Sequence, residues 1–307
     1  MIVASIDIGT NTVLLLIAEV DPKSNKLTPL RNEYRLPRIG QNIKETGVIS
    51  LSKVEELTTI LNEYNNIIQS YFCECTLVTG TNVFRLAKNT NQISEIIKQK
   101  FNFDLNVISG DEEAEYAFLG AVSGSNLAST KMVIDVGGSS TEIIIAIDDK
   151  IISKWSLQLG SVTASEEFFL HSPPSELEIE NLKSEIKQKL LTVDITEKSE
   201  NVIAVAGTAT TLACMILGMK EFKEEKVDNK EVSLNDVKHI FLSTKDLNAS
   251  QILDRYGSIM LGREDIILAG IYIFYNLMYI LNINKIKVST RGIRYGAIMK
   301  YVQSLPQ

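Results

Sequence analysis

The apolar residues of this chain form two kinds of segment, short continuous runs and longer stretches with helical spacing. In the segment from about 52 to 71, apolar side chains recur every three or four residues, which places them on one face of a helix. The residues of that face are Val54, Leu57, Leu61, Tyr64 and Ile68. Apolar runs at 75–79 and 103–108 predict buried strands. Strands that alternate with helices indicate an α/β fold.

The rest of the chain continues this alternation. Apolar runs predict strands at 201–206 and 285–289, and residues 291–296 are expected to open a C-terminal helix. Clusters of polar and turn-forming residues predict a turn at 21–25 and a loop at 35–40. Helical spacing predicts further helices at about 93–100, 109–122, 175–191, 234–242 and 265–281.

One short pattern occurs twice. IDIGTN at 6–11 recurs as IDVGGS at 134–139, and each copy leads into a second apolar strand. The repeat predicts a duplicated fold with two α/β domains, at 1–124 and 125–307, and the last helix of the chain can pack back on the first domain. We expect a hinge at 124–129 and a cleft between the domains, where ligands usually bind.

Composition narrows the classes of protein that fit. The 307 residues are 45% hydrophobic and 22% charged, which is typical of a globular protein of about two domains. The net charge of −7 argues against nucleic-acid binding, which needs a basic face. No apolar run approaches the roughly 20 residues of a membrane span, and no basic segment opens the chain, so we expect a cytoplasmic location and no membrane partner. Cys73, Cys75 and Cys214 do not make a zinc-ligand set.

The two glycine turns are candidate phosphate sites. Small residues let backbone N–H groups gather around an anion. The pair of turns therefore predicts a phosphate clamp with one half in each turn. A tight hairpin with no ligand is the alternative for either turn taken alone. The candidate phosphate-binding residues are Gly9, Thr10, Asn11, Gly137, Gly138 and Ser139.

Aligning the two copies reveals candidate metal ligands. When Asp7 is laid on Asp135, Leu14 falls on Glu142, so the second copy has an additional carboxylate within an apolar strand. A buried carboxylate is costly unless it is paired or binds a cation. Oxygen ligands beside phosphate groups suit Mg²⁺, and we expect Asp135, Glu142 and Asp7 to contact it. The alternative for each aspartate is a hydrogen bond from its own turn.

A third candidate lies in the segment that opens the helix at 109–122. Ser109 and Glu112 have the spacing of a capping box, which accounts for Glu112 but not for Glu113. A carboxylate in the first helical turn beside a phosphate could accept a proton from an attacking water. Acidic residues also favour first turns through the helix dipole, which leaves a purely structural alternative.

Together these motifs carry a family resemblance that covers nearly the whole chain. The ordered set resembles the exopolyphosphatase and guanosine pentaphosphate phosphohydrolase family, within the superfamily of actin, sugar kinases and heat-shock-chaperone ATPases. The resemblance implies two ribonuclease H-like domains of the actin-like ATPase type. The segments that carry it are 7–11, 35–40, 81–85, 109–114, 135–142, 160–163, 207–211, 263–265 and 289–292.

The resemblance also implies roles for individual residues. Glu113 matches the glutamate that activates water, and Arg85 matches an arginine that contacts the phosphate chain. Taken by its spacing alone, Arg85 reads as a surface helix residue. Asp135, Gly137 and Glu142 match the turn that binds phosphate and magnesium.

Two further matches and two departures complete the comparison. Gly207 and Thr208 resemble the loop that meets adenine in kinases of the superfamily. We include them among the candidate phosphate-binding residues; contact with another part of the substrate, or a purely structural role in the cleft, is the alternative. Members commonly have a basic residue where this chain has Glu115, which makes the surroundings of Glu113 more negative. Longer exopolyphosphatases carry a C-terminal helical region that we do not expect here, and we expect lower processivity on long chains in consequence.

The resulting functional prediction is an exopolyphosphatase that removes terminal phosphate from inorganic polyphosphate with Mg²⁺. Guanosine pentaphosphate is the alternative substrate, since the shared motifs do not separate the two. A small-molecule kinase of the same superfamily and a non-catalytic nucleotide or polyphosphate sensor are further alternatives. The resemblance implies a homodimer.

Overall fold

The computed structural model describes residues 1–24, 26–123, 130–147, 150–195, 199 and 201–305. The hinge expected at 124–129 lies outside these residues. The chain divides into two compact units, one formed by Met1–Ser125 with Arg291–Gln307 and the other by Asn126–Thr290. We call them unit 1 and unit 2. The predicted ranges end the second domain at 307 and allow the last helix to pack back on the first domain; residues 291–307 lie in unit 1.

The secondary structure alternates strands and helices along the chain. The strands are β1 (Ile2–Ile8), β2 (Val13–Asp21), β3 (Lys26–Arg35), β4 (Cys75–Gly80), β5 (Leu105–Val107), β6 (Lys131–Val136), β7 (Thr141–Ile147), β8 (Lys150–Leu157), β9 (Asn201–Val205), β10 (Glu231–Ser233) and β11 (Lys285–Val288). The helices are α1 (Ile43–Thr46), α2 (Leu51–Ser70), α3 (Asn82–Leu86), α4 (Thr90–Phe101), α5 (Gly110–Val122), α6 (Ser161–Phe168), α7 (Glu176–Leu190), α8 (Ala206–Ile216), α9 (Glu224–Val227), α10 (Leu234–Thr244), α11 (Ala249–Tyr256), α12 (Ile267–Ile280) and α13 (Ile293–Ser304), with a 3-10 turn at Gly257–Met260.

Unit 1 is built on a mixed sheet with the strand order β3-β2-β1-β4-β5. The hairpin strands β1, β2 and β3 are antiparallel, and β4 and β5 run parallel to β1. Side chains of a strand alternate between the two faces of a sheet. Ile6 and Ile8 therefore pack in the core that contains α2 and α4, whereas Val3 packs with Tyr295 and Ile298 of α13. The same alternation puts Asp7 on the face of Val3, the face that α13 covers.

Unit 2 repeats this arrangement. Its sheet has the order β10-β11-β9-β6-β7-β8, so β8-β7-β6-β9-β11 corresponds strand for strand to the sheet of unit 1, with β10 added at the edge. The hairpin registers agree as well, since Asp7 lies opposite Leu14 and Asp135 lies opposite Glu142. The two-domain α/β fold predicted from the repeat is confirmed.

Most predicted elements are present. Two differences between the sequence-based prediction and the structure are informative. The strand β3 is missing from the sequence-based interpretation because its side chains are largely exposed, Leu27 being its buried residue, and it shows no alternating pattern. The segment after β9 is helix α8 and not a loop, so the interpretation of Gly207 and Thr208 as loop residues is wrong. Glycine and threonine are weak helix formers, and here tertiary contacts decide the conformation.

Candidate functional site

Both glycine turns close in the same way. The amide of Gly9 donates to the carbonyl of Thr12 at 2.9 Å, and the amide of Gly137 donates to the carbonyl of Ser140 at 3.0 Å. The four-residue geometry of the first turn is therefore reproduced in the second. The alignment of the two sequence copies is matched by their backbone hydrogen bonds as well as by their strand registers.

Helix α6 fixes the second turn from behind. The amides of Val162 and Thr163 donate to the carbonyl of Gly138 at 2.7 and 3.1 Å, and the amide of Ser161 donates to the carbonyl of Gly137 at 2.9 Å. A Cβ at Gly160 would lie 2.5 Å from the backbone nitrogen of Ser139, so this approach requires glycine. Backbone hydrogen bonds from α6 thus hold the carbonyls of Gly137 and Gly138 in place.

The first turn contains buried polar atoms that make no hydrogen bond among the described residues. They are Oδ1 of Asp7 and both side-chain amide atoms of Asn11. Asp7 is 9% exposed and Asn11 is 6% exposed, so bulk water does not compensate for the missing bonds. An unsatisfied buried polar group costs about 1–3 kcal/mol. A ligand with both donor and acceptor atoms would satisfy these groups, and phosphate binding at this turn stays a prediction.

Glu113 is the buried carboxylate of α5. The capping box predicted for this helix is confirmed, because Glu112 accepts a hydrogen bond of 2.8 Å from the amide of Ser109. Glu113 instead is 6% exposed and accepts a hydrogen bond of 2.8 Å from Nη1 of Arg85. A residue that only complemented the helix dipole would remain in solvent.

Arg85 is held by two acceptors. Its Nη1 also donates to the carbonyl of Ile108 at 2.7 Å, while its Nη2 is buried and has no hydrogen-bond partner among the described residues. The structure therefore brings Arg85 to Glu113, and the Nη2 group remains available to an acceptor such as a phosphate oxygen. The contact between Arg85 and substrate stays a prediction.

The carboxyl groups of Asp7 and Glu113 influence each other. Burial, reinforced by the negative charge of Glu113, raises the pKa of Asp7 to about 7, although Arg294 acts in the opposite direction. Burial also raises the pKa of Glu113, and the charge and hydrogen bond of Arg85 offset part of that effect. Raised carboxyl pKa values are typical of groups that exchange protons near neutral pH.

In unit 2 the two acidic candidates lie side by side. Asp135 and Glu142 are direct partners in the antiparallel ladder of β6 and β7, which places their side chains on one face of the sheet. They are 4% and 1% exposed, and Oε1 of Glu142 accepts a hydrogen bond of 2.7 Å from Oγ of Ser156. Like charges in opposite positions are destabilising unless a cation or a proton lies between them.

This donor set fits Mg²⁺. The ion takes oxygen ligands, keeps several waters and needs only one or two carboxylates from protein when phosphate completes its shell. Among the residues that the structure describes, no group of three or more His, Cys, Asp and Glu side chains forms a metal site. Contact of Asp135, Glu142 and Asp7 with Mg²⁺ stays a prediction.

The helix α8 begins close to the second turn. The hydroxyl of Thr208 donates to the carbonyl of Val136 at 2.8 Å, which ties the helix to the end of β6. A Cβ at Gly207 would lie 2.4 Å from Nη1 of Arg263, so glycine lets a buried guanidinium lie against the helix backbone. Phosphate binding by Gly207 and Thr208 stays a prediction.

The sequence did not reveal two contacts of the candidate site residues, that of Arg263 with Gly207 and that of Ser156 with Glu142. Arg263 falls in one of the motif segments without an assigned role, and Ser156 lies in β8, where no sequence pattern pointed to Glu142. The strand register, with Glu142 opposite Ser156, supplies the missing information.

Fold and donor groups together define a class of protein. Duplicated α/β units with an acidic glycine turn in each are the hallmark of the actin-like ATPase fold. The model of the Ppx/GppA phosphatase family matches residues 16–305. The chain belongs to this family, and the predicted family and its hydrolase class are confirmed.

Relatives of known name support the assignment. The chain is 28% identical to a bifunctional 3-dehydroquinate synthase/phosphatase of Fusobacterium nucleatum, over 98% of this chain and 46% of that protein. It is 28% identical to exopolyphosphatase 2 of Mycobacterium tuberculosis, over 72% of each protein. It is 26% identical to a guanosine-5'-triphosphate,3'-diphosphate pyrophosphatase of Vibrio cholerae, over 99% of this chain and 60% of that protein. The chain thus spans about half the length of the Fusobacterium protein and 60% of the length of the Vibrio protein.

Solved structures agree. The Ppx/GppA family member of Aquifex aeolicus is 29% identical, covers 99% of this chain and 98% of its own, and superposes with a TM-score of 0.85.

Among the residues that the structure describes, no helix has both the length and the apolar character required to cross a membrane.

Proposed function

We propose that this protein is an exopolyphosphatase that hydrolyses the terminal phosphoanhydride bond of inorganic polyphosphate in the presence of Mg²⁺. The observation that carries the proposal is the buried Glu113 of α5, which is held by Arg85 and whose charge raises the pKa of Asp7. The name of the mycobacterial relative supports the same substrate. The products are orthophosphate and a chain one phosphate shorter.

Glu113 is the proposed general base. Its Oε2 is fixed by Nη1 of Arg85, so the carboxylate has one defined orientation. The attacking water gives a proton to Glu113 as its oxygen forms a bond to the terminal phosphorus, and the bridging P–O bond breaks. Burial raises the pKa of Glu113, which makes its carboxylate a stronger base for this proton.

Both glycine turns contribute to the binding of phosphate in this proposal. The unpaired amide of Asn11 and Nη2 of Arg85 provide hydrogen-bond donors in unit 1. In unit 2 the amide of Gly137 is already taken by the carbonyl of Ser140, so the other backbone amides of the turn, beginning with that of Gly138, are the proposed phosphate donors. Preorganised donors stabilise charge at little reorganisation cost. Gly207 and Thr208 extend this set at the start of α8.

Asp135 and Glu142 are the proposed ligands of Mg²⁺, and Asp7 is a further candidate. The bound ion supplies neutralisation of the negative charge on the reacting phosphate group. Burial of the two opposed carboxylates in unit 2 supports their assignment. Their hydrogen-bonded neighbour Ser156 orients Glu142 for this task.

Guanosine pentaphosphate is the second candidate substrate. The Vibrio cholerae relative matches over 99% of this chain, and its name describes a guanosine substrate with the same type of anhydride bond. The proposed groups act on the terminal phosphate alone, so the same chemistry serves both substrates.

One assay separates these alternatives. Orthophosphate release is measured with Mg²⁺ from long polyphosphate, short polyphosphate, guanosine pentaphosphate and ATP. We expect the highest kcat/KM with polyphosphate. A higher kcat/KM with guanosine pentaphosphate would replace the first proposal by the second, and no release from any of the four would favour a non-catalytic sensor.

Two proposals concern the whole protein. We propose a homodimer, which the family resemblance supports, and a cytoplasmic location. Sedimentation velocity tests the first, and a monomer over the full concentration range would contradict it. Fractionation of the source cells tests the second.

A further inference from the structure

Three polar side chains lie in one row across the sheet of unit 2. Asp135 on β6 is the register partner of Glu142 on β7, and Glu142 is the register partner of Ser156 on β8. Side chains directly opposite one another in an antiparallel ladder lie on the same face of the sheet. Glu142 therefore lies between a second carboxylate on one side and a hydroxyl on the other.

The hydroxyl engages one oxygen of the central carboxylate. Oγ of Ser156 donates to Oε1 of Glu142 at 2.7 Å, a distance typical of the short hydrogen bonds that hydroxyl groups make to charged oxygens. Glu142 is buried, so bulk water does not compete for this oxygen. Since β7 lies between β6 and β8, the bond holds Oε1 on the side of Glu142 that is away from Asp135.

The number of oxygens that a carboxylate offers affects which divalent ion it suits. Mg²⁺ requires near-octahedral geometry, keeps several waters and takes few oxygens from protein. Ca²⁺ takes about six to eight oxygens in a more flexible geometry and binds carboxylates through one oxygen or through both. A carboxylate whose Oε1 is held by a hydroxyl is a poor two-oxygen ligand. Such a carboxylate disfavours the ion that needs the larger number of oxygens.

We propose that Ser156 determines the ion preference of the site proposed at Asp135 and Glu142. By holding Oε1, it limits Glu142 to one oxygen for the ion and so favours Mg²⁺ over Ca²⁺. The inference rests on the proposed function and deepens it. Ser156 is a positioning residue, because it acts through Glu142 and not on the substrate. Removal of a group that hydrogen-bonds a metal ligand commonly changes metal affinity by about 10- to 100-fold.

The test measures binding of Mg²⁺ and of Ca²⁺ separately, without substrate, from the rise in melting temperature with ion concentration. The measured quantity is the ratio of the two dissociation constants, Kd for Ca²⁺ divided by Kd for Mg²⁺. Ser156→Ala removes the hydrogen bond, and we expect the ratio to fall at least about tenfold relative to the wild type. Ser156→Cys keeps the size of the side chain with a weaker donor and should lower the ratio in the same direction.

Two further variants separate this role from a purely structural one. Ser156→Thr retains the hydroxyl and should retain the wild-type ratio. Ser153→Ala is the matched control, because Ser153 lies on the same strand, opposite Ile145, and its side chain is on the other face of the sheet. It should leave the ratio unchanged. A loss of stability alone leaves the ratio unchanged as well, because both ions bind the same folded protein.

The outcomes distinguish the two proposals. Unchanged ratios in Ser156→Ala and Ser156→Cys would overturn the role of Ser156 while the proposed metal ligands stand. If neither ion raises the melting temperature of the wild type, or if Asp135→Asn responds as the wild type does, the ligand assignment itself fails and the role of Ser156 fails with it.

Discussion

Nη1 of Arg85 lies 2.8 Å from Oε2 of Glu113, and the same nitrogen donates to the carbonyl of Ile108. The arginine therefore joins the end of α3 to the first turn of α5 and orients the proposed base. It also stabilises the charged form of Glu113, against the burial that raises the pKa of that carboxyl group. One side chain thus sets both the position and the basicity of Glu113.

Removal of Arg85 should change the pH dependence of the reaction. Arg85→Ala leaves burial as the dominant influence on Glu113, so its pKa rises further. Because the base must be deprotonated, the acidic limb of the kcat/KM profile should move to higher pH. Arg85→Lys retains the positive charge and should show a smaller shift. An acidic limb that stays in place in Arg85→Ala would show that another group titrates in that limb.

Replacement of the proposed base should separate binding from turnover. Glu113→Gln preserves the size of the side chain and can still accept a hydrogen bond from Arg85, but it cannot accept the proton. We expect kcat to fall by roughly 10²–10⁴, the usual contribution of general base catalysis, with KM little changed. Glu112→Gln is the control, since Glu112 serves the capping box. Near-normal kcat in Glu113→Gln would exclude Glu113 as the base.

The opposed carboxylates of unit 2 predict a response to metal. In Glu142→Gln the like charge opposite Asp135 is removed, so the metal-free protein should be as stable as the wild type or more stable, by up to about 1 kcal/mol. Binding of Mg²⁺ to the folded state raises the melting temperature of the wild type, and this rise should be lost in the variant. The measurement is thermal unfolding with Mg²⁺ and with a chelator.

Glu115→Gln is the control for that experiment. Glu115 forms an exposed ion pair with Lys300, so its variant should retain the full response to Mg²⁺. An undiminished Mg²⁺ response in Glu142→Gln would remove Glu142 from the proposed ligand set.

The fold was largely predictable because the sequence repeats its own hairpin. Aligning Asp7 with Asp135 predicted that Leu14 and Glu142 occupy equivalent positions, and the strand registers agree. The long amphipathic helix α2 and the capping box of α5 were also predictable from local spacing alone. Local patterns determine these elements, so a single sequence suffices.

The remaining features depend on contacts between distant residues. The pairing of Arg85 with Glu113 joins positions 28 apart in sequence, and that of Ser156 with Glu142 joins positions 14 apart. The helical start of α8 depends on the contact of Thr208 with Val136, which overrides weak local preferences. No pattern of residues within one element reports such contacts.

Close packing of α5 on α13 should make Gly296 intolerant of substitution. A Cβ at Gly296 would lie 1.8 Å from the carbonyl oxygen of Tyr116, which is backbone and cannot move independently of α5. Gly296→Ala should therefore cost at least about 2 kcal/mol in the free energy of unfolding. Gly292→Ala is the control, because a Cβ built at Gly292 meets no heavy atom within 4 Å among the described residues, its two chain neighbours excepted. Equal stability of the two variants in urea unfolding would contradict this packing.

The buried carboxyl group of Asp7 predicts how stability depends on pH in the absence of metal. Its pKa is raised to about 7 in the folded protein, against an ordinary value of 3.8, so the folded state binds the proton more tightly than the unfolded state does. Stability therefore falls as pH rises through this interval and levels off above about 7. The loss attributable to Asp7 is at most on the order of 4 kcal/mol, at about 1.4 kcal/mol for each unit of pKa.

Asp7→Asn removes this titration with little change in side-chain size. Urea unfolding at about pH 5 and about pH 8, in chelator, gives the free energy of unfolding of both proteins. The wild type should lose more stability than the variant between the two conditions. Glu113 also titrates with a raised pKa and contributes in the same direction, so the variant should retain part of the dependence. A wild type whose stability falls no more than that of Asp7→Asn would mean that Asp7 is already ionised at the lower pH.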